Sequence, residues 1–408
     1  MNIVLYGINY SPELTGTGKY SGEMGDWLQC AGHQVNVITA PPYYPEWRVK
    51  EGFFATRWRR TNEKGIRVIR CPLYVPKEVS ALNRLIHLSS FALSSFLPLL
   101  AQVRQKPDLV ILVAPTLFCA PGALFLAKLS GATSVLHIQD YEVDALFGLG
   151  MAKHGMLKRF AYACERFLLQ RFDYLSTISS GMLTRARNKG VPEDRLVFFP
   201  NWSEIQRFKH VESSQSLLRE LGVPDGKQVL LYSGNMGDKQ GLEQVLDAAK
   251  CLKDNPDLFF LLVGEGAGKQ KLLDQAGRMQ LTNVAFAPLQ PYEDLPILLA
   301  SADVHLVIQK RGAADSVLPS KLTNILAVGG NAVITADPET TLGLLCNEHP
   351  GIAVCVEPES VETLLLGINK ALAMPSRNSV AQTYATNFLD KERILQRFIQ
   401  EVAKNVAD

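Results

Sequence analysis

The sequence predicts an α/β protein built from two Rossmann-like, doubly wound domains that face each other across a cleft. Three observations carry that expectation. The chain has 408 residues, more than one hydrophobic core usually holds, so two domains come first to mind. Short β-branched apolar runs alternate with stretches of helix length from end to end. Runs without strict alternation mark strands buried on both faces, as in parallel sheets. The rhythm pauses once, in the polar stretch "PNWSEIQRFKHVESSQSLLREL", and then restarts, which splits the chain into two α/β halves.

The strands of the first half are expected at "IVLYGIN", "QVNVITA", "IRVIRC", "DLVILVA", "TSVLHIQ", "DYLSTIS" and "RLVFFP". Helix-length segments such as "YSGEMGDWLQCAG" and "APGALFLAKLSG" lie between them. The second half repeats the pattern through "QVLLYSG", "LFFLLVGEG", "NVAFAP", "DVHLVIQ", "NAVITA" and "GIAVCVEP". The sequence ends in helical pattern, "VAQTYATNFLDKERILQRFIQEVAKNV". The expected domains are therefore 1–205 and 206–380, with 381–408 as a terminal helix packing back on the first domain.

A net charge of +2 is too small to argue for nucleic acid, so any basic function is local. The composition, 47% apolar and 20% charged, is that of a soluble globular protein. Seven cysteines are scattered without a CxxC pair, which reads as reduced, buried thiols and no zinc site. The chain opens directly on a strand pattern, so no signal peptide is expected. The most apolar segment, 85–103, is interrupted by His87, four serines, Pro98 and Gln102. It reads as a helix packed on a sheet or lying in a membrane interface rather than spanning a bilayer.

The loop after the first strand, "NYSPELTGTGKYSGEMGDWL", invites a phosphate. A Walker loop needs glycine ahead of its Gly-Lys pair and Ser or Thr after it. Here Glu13 and Tyr20 stand in those places, and a carboxylate would repel phosphates. A dinucleotide fingerprint needs G-x-G-x-x-G and an acidic end to the second strand. Gly16 and Gly18 are followed by glycine only at Gly22, and "VITAPPYYP" offers no carboxylate. What remains is a loop whose backbone amides, at a helix N-terminus, hold an anion. A second glycine-rich turn, Gly264 to Lys269, fails the Walker spacing as well, because position 263 is valine.

These residues carry a family signature. "INYSPELTGTGKYSGEMGDWLQCAGHQVNVITAPPYYP", "LLYSGNMGDKQGLEQVLDAA", "FLLVGEGAGKQKL" and "VLPSKLTNILAVGGNAVIT" resemble the retaining, nucleotide-sugar-dependent glycosyltransferases of family 4, which have the GT-B fold. The resemblance covers essentially the whole chain. It is closer to one branch, the fucosyltransferases of colanic acid exopolysaccharide assembly, through "APPYYPEW", "CPLYVPK", "PTLFCAPG", "HIQDYEVDA", "FFPNWSEI" and "QKRGAADSVLPSKLTNILAVGG". It implies a GDP-fucose donor, no metal and no other cofactor. It further implies a lipid-diphosphate-linked saccharide acceptor, met peripherally at the cytoplasmic face of the inner membrane. The helix at 85–103 and the basic, aromatic segment 48–60 would then face anionic lipid.

Breaking a nucleoside diphosphate sugar builds negative charge on the leaving diphosphate, which must be stabilised while the acceptor hydroxyl is positioned and its proton received. The resemblance assigns the first task to the C-terminal domain. Asn235, Lys239 and Gln240 stand where the family has Gly-Arg and Lys-Gly. Lys310 and Arg311 follow a buried strand, and Lys321 opens the next helix, where the macrodipole calls for an anionic partner. The family's paired glutamates align with Ser316 and Asn324; neither is acidic, and Asp315 is the neighbouring substitute. Asn324 still offers hydrogen bonds to a ribose diol. For the proton, the family uses the stretch "HIQDYEVDA". Asp140 is the first choice, with His137 and Glu13 as the other catalytic candidates, while Gln139 and Asp144 lie alongside. A core histidine is the competing reading of His137. Gly16 and Gly18 join the donor-binding set as backbone room for the diphosphate. A GT-B nucleotide-sugar epimerase and a non-catalytic nucleotide-sugar-binding partner of an assembly complex are the alternative functions.

Overall fold

The computed structural model describes residues 1–13, 16–76, 80–144, 155–312 and 319–404. The chain divides into two compact units, Met1–Phe199 with Leu395–Asp408, and Pro200–Ile394. Each is a mainly parallel sheet flanked by helices.

The first unit holds strands β1 (Asn2–Gly7), β2 (Gln34–Thr39), β3 (Arg59–Glu63), β4 (Ile66–Arg70), β5 (Leu109–Ala114), β6 (Thr133–Ile138), β7 (Tyr174–Thr177) and β8 (Leu196–Phe198). Their order across the sheet is β3-β4-β2-β1-β5-β6-β7-β8. All pairs are parallel except β3 with β4. The central strands are buried along their whole length, β5 as LVILVA and β6 as TSVLHI, which is why their sequences do not alternate. β3 was not expected: its RRTNE sequence is mostly exposed and gives no apolar signal.

The second unit holds β9 (Gln228–Ser233), β10 (Leu258–Val263), β11 (Val284–Ala287), β12 (Val304–Val307), β13 (Ala332–Thr335) and β14 (Val354–Val356), in the order β11-β10-β9-β12-β13-β14. All its pairs are parallel. Chain order reverses direction between β1 and β5 in one sheet and between β9 and β12 in the other. Ligands of open α/β sheets bind at the carboxyl ends of strands at such points.

Two expected boundaries move. The division falls at Phe199/Pro200 because the following segment is tied to the second unit: Ser203 bridges to Asp390, and its N–H donates to the Leu389 carbonyl at 2.8 Å. The terminal segment expected to pack on the first domain from residue 381 does so only from Leu395. Helix Ser379–Phe388 packs instead on helix Ser320–Val328 in the second unit. Beyond it Phe398 stacks on Phe199, with ring centroids 3.8 Å apart. Of the seven cysteines, only Cys71 and Cys119 are buried; Cys30, Cys251 and Cys355 are exposed.

The apolar segment forms helix Ala81–Leu100, continued by a 3₁₀ turn, Ala101–Gln105. By length and composition Leu82–Gln105 could cross a membrane, but one face packs on the sheet. His87, Leu88, Phe91, Ser95 and Leu99 are buried on that face, and the Ser95 hydroxyl bonds to that of Tyr6 on β1 at 2.6 Å. Serines that looked like interruptions are partners of backbone and tyrosine. The other face exposes Leu82, Ile86, Leu93 and Leu97.

Candidate active site

In the second unit the expected cations converge at the switch between β9 and β12. The turn leaving β9 contains Asn235 and runs into a 3₁₀ turn, Asp238–Gln240. Lys310, just past β12, donates its N–H to the Lys239 carbonyl at 3.0 Å. Its stem lies over Gly241, where an added Cβ would come within 2.9 Å of Lys310 Cγ. Lys321, in the first turn of helix Ser320–Val328, sends its stem across Gly234 and rests its ammonium over the Tyr232 ring, 4.2 Å from the centroid. Tyr232 is fixed in turn by donating to the Asn235 carbonyl at 2.5 Å. Thus Asn235, Lys239, Lys310 and Lys321 are brought together. Among the described residues no carboxylate pairs with Lys321, and its desolvation lowers the ammonium pKa to about 7.

The floor of this site is main chain against main chain. Met236 donates to the Glu265 carbonyl at 2.8 Å, and Gly268 donates to that of Met236 at 2.8 Å. A Cβ at Gly264 would fall 1.9 Å from the Gly234 carbonyl oxygen, and one at Gly266 2.6 Å from that of Met236. The second glycine-rich turn therefore exists to let two backbone turns touch.

Two of the expected donor residues already have partners within the second unit. Arg311 is drawn away by Asp337 at 2.5 Å and Glu357 at 2.9 Å, carboxylates at the ends of β13 and β14, so its charge is already compensated. Asn324 spends its side-chain oxygen on the Ser203 hydroxyl, 2.8 Å away, which anchors the segment entering the second unit. Asp315 and Ser316 lie outside the described residues.

In the first unit, Glu13 is only 5% exposed. Its Oε1 accepts the N–H groups of Tyr43 and Tyr44 at 3.0 and 3.1 Å, and its Oε2 accepts from Asn9 at 2.9 Å. Burial raises its pKa against these bonds. With both oxygens taken, Glu13 knits the loop after β1 to the loop after β2, and the expectation that it orients an acceptor gives way to that role. Gly18 is part of the same fit, since a Cβ there would lie 2.3 Å from Glu13 Oε2; the room it makes is filled by this carboxylate rather than left for a diphosphate. Gly16 opens helix Gly16–Cys30 with φ +58°, a left-handed start that glycine adopts without strain. Buried Arg70 braces the loop by donating to the Ser11 carbonyl at 2.8 Å while paired with Glu63 at 3.0 Å.

The structure places His137 inside the core, as the competing reading had it. It is 3% exposed on β6, its Nδ1 lies 3.0 Å from the Ser176 hydroxyl and its Nε2 3.3 Å from the Gln139 amide. Desolvation lowers its pKa to about 3, so it is neutral at any working pH. Asp140, by contrast, is exposed at the bend that ends β6. Asp144 pairs with Lys189 at 3.2 Å, and Lys189 also binds buried Glu165, a lock holding the segment after Asp140. Sequence reasoning missed Glu142, buried at 5% between them. Its one advance signal was a third carboxylate in "QDYEVD". Among the described residues no cluster of three or more His, Cys, Asp or Glu is placed to hold a metal ion.

This double α/β architecture is that of a GT-B glycosyltransferase, and similarity to known proteins agrees. The family "Glycosyl transferase 4-like domain" matches residues 15–202 and "Glycosyl transferases group 1" matches residues 213–388. The chain belongs to these glycosyltransferases. It is 59% identical over 407 residues to the colanic acid biosynthesis glycosyl transferase WcaI of Escherichia coli K12, covering 98% of this chain and 100% of that protein. It is 27% identical to the glycosyltransferase WbjE of Pseudomonas aeruginosa over 61% of this chain and 62% of that one. Among solved structures, sucrose-phosphate synthase from Thermosynechococcus elongatus superposes with a TM-score of 0.73 at 15% identity, covering 100% and 99% of the two chains. Anabaena HepE in complex with UDP-glucose superposes at 0.66 and 15% identity, covering 99% of each.

Proposed function

We propose that this glycosyltransferase moves L-fucose from GDP-fucose to a lipid-diphosphate-linked saccharide, with retention of configuration, during colanic acid assembly. The observation that carries the donor side is Lys321: a desolvated ammonium on an aromatic face, at a helix N-terminus, without a carboxylate among the described residues. A diphosphate supplies the missing charge, aided by Lys239 and Lys310. The UDP-glucose in the HepE structure supports a nucleotide sugar as the ligand class. The polysaccharide follows the 59% identity to WcaI, and GDP and fucose follow the branch resemblance. In the reaction the sugar C1–O bond to the diphosphate breaks and its electron pair leaves with the phosphate. The acceptor oxygen bonds to C1, and its proton passes to Asp140, the exposed acid at the end of β6. Peripheral membrane contact through the exposed face of helix Ala81–Leu100 brings the lipid-linked acceptor to the first unit.

The test is a donor panel with purified enzyme and lipid-diphosphate-linked glucose, read by product mass. Product carrying a deoxyhexose from GDP-fucose alone, lost in Asp140→Ala with the fold intact, is the expected result. Product from a UDP-sugar instead would reassign the donor, and donor turnover without acceptor would favour an epimerase.

A further inference from the structure

The second unit holds a polar cavity of about 320 Å³ apart from the donor cations, and Lys209, His210 and Arg377 line it together. The first two follow the short helix Ile205–Phe208, and Arg377 precedes helix Ser379–Phe388. Two segments distant in sequence thus bring their basic side chains to one concavity. The Arg377 guanidinium donates to the Val211 carbonyl at 2.9 Å, which ties the segments to each other. No aspartate or glutamate lines the cavity among the described residues. Glu204, at the start of the first segment, is spent on Arg207 and Lys391 at 3.8 and 3.4 Å.

Cations gathered in a concavity repel one another, and walls of low dielectric focus their field on whatever enters. The rest of the lining fits an anion that also carries hydroxyls. Ser379, Thr383 and Thr386 supply hydroxyl groups, and Ile205 and Ala327 add an apolar patch. Ser379 opens its helix, so the cavity adjoins the positive end of a helix dipole. Its volume lies at the lower end of the roughly 300–1,000 Å³ of small-molecule sites, which suits a monosaccharide phosphate better than a whole nucleotide sugar. Ala327 lies in the last turn of helix Ser320–Val328, about 9 Å of helix rise from Lys321 in the first. We propose that this cavity is a second anion site, which binds a small phosphate ester. Such a site is independent of which donor and acceptor the enzyme uses.

The experiment is calorimetric titration of glucose 6-phosphate, inorganic phosphate, citrate and glucose into the full chain, as wild type, Lys209→Gln with Arg377→Gln, and Lys321→Met. Glucose 6-phosphate is expected to bind wild type and Lys321→Met alike, and the double variant about tenfold or more weakly, the loss of charge-assisted hydrogen bonds. Glucose is expected not to bind. Equal affinity in the double variant, or binding lost in Lys321→Met alone, overturns the site. Inorganic phosphate held as tightly as the ester keeps the anion site and overturns the ester, and citrate held more tightly than either overturns the phosphate class. Arg377 also holds the Val211 carbonyl, so thermal melting of each variant is measured alongside. If the double variant melts early, Lys209→Gln alone carries the test, since its side chain has no hydrogen bond or ion pair to lose among the described residues.

Discussion

At the scale of the residue, Lys321 shows how position decides chemistry. The folded pKa of about 7 lies below the ordinary 10.5, so the unfolded chain binds more protons across that interval and stability rises with pH there. A diphosphate favours the charged form, so its binding draws a proton onto Lys321. Donor affinity is expected to fall as pH climbs through about 7, to lose that slope in Lys321→Arg, and to drop at every pH in Lys321→Met. Calorimetric GDP titrations between pH 6 and 9 measure this; equal slopes in wild type and Lys321→Arg would refute it. Much of this half of the site was legible, because "QKRG" and "PSKL" put cations at a strand end and a helix start. What pairs with each cation was not. Nothing in the sequence tells that Arg311 meets Asp337 and Glu357, since those carboxylates come from two later strands. His137 and Glu142 failed for a related reason: a short polar stretch after a strand does not reveal which side chains turn inward.

Elements were read more reliably than residues. Thirteen of the strands announced themselves as apolar runs, whereas β3 is mostly exposed and its side chains carry no burial signal. Helix Ala81–Leu100 was legible as apolar, yet only the structure separates its packed face from its exposed one. Leu93 and Leu97 are 78% and 74% exposed, and neighbouring Trp58 is anchored by its indole to the Ser94 carbonyl at 3.0 Å. An apolar strip with an interfacial tryptophan suits the headgroup boundary of a bilayer. Leu93→Glu with Leu97→Glu is expected to reduce flotation with anionic liposomes several-fold while melting stays within a few degrees. Flotation equal to wild type would remove this helix from the membrane reading.

Across the whole molecule, both cores bury neutral histidines: His137, with pKa about 3, on β6, and His305, with pKa about 4, on β12. Burial depresses both below the ordinary 6.5, so the unfolded chain takes up more protons once pH falls below about 6.5. The lost stability accumulates down to about pH 3 to 4. Buried Glu13 and Glu142, with raised values, work in the opposite direction over a window that lies above their ordinary 4.5 and overlaps this one. The histidine contribution is therefore read as a difference: between pH 6.5 and pH 4.5 the denaturant midpoint of His137→Gln is expected to decline less than that of wild type. Equal pH slopes in the two proteins would show that the imidazole is not kept neutral by the fold.

The strand that the sequence concealed has a colloidal consequence. A parallel sheet ends in a row of open backbone groups that invites another chain to add itself. In the first unit that margin is β3, an antiparallel ribbon whose exposed Arg59 and Arg60 set charge along the open edge, the kind of side chain that discourages strand addition. The same charged residues that hid β3 from an apolar search make this border a poor template for another chain.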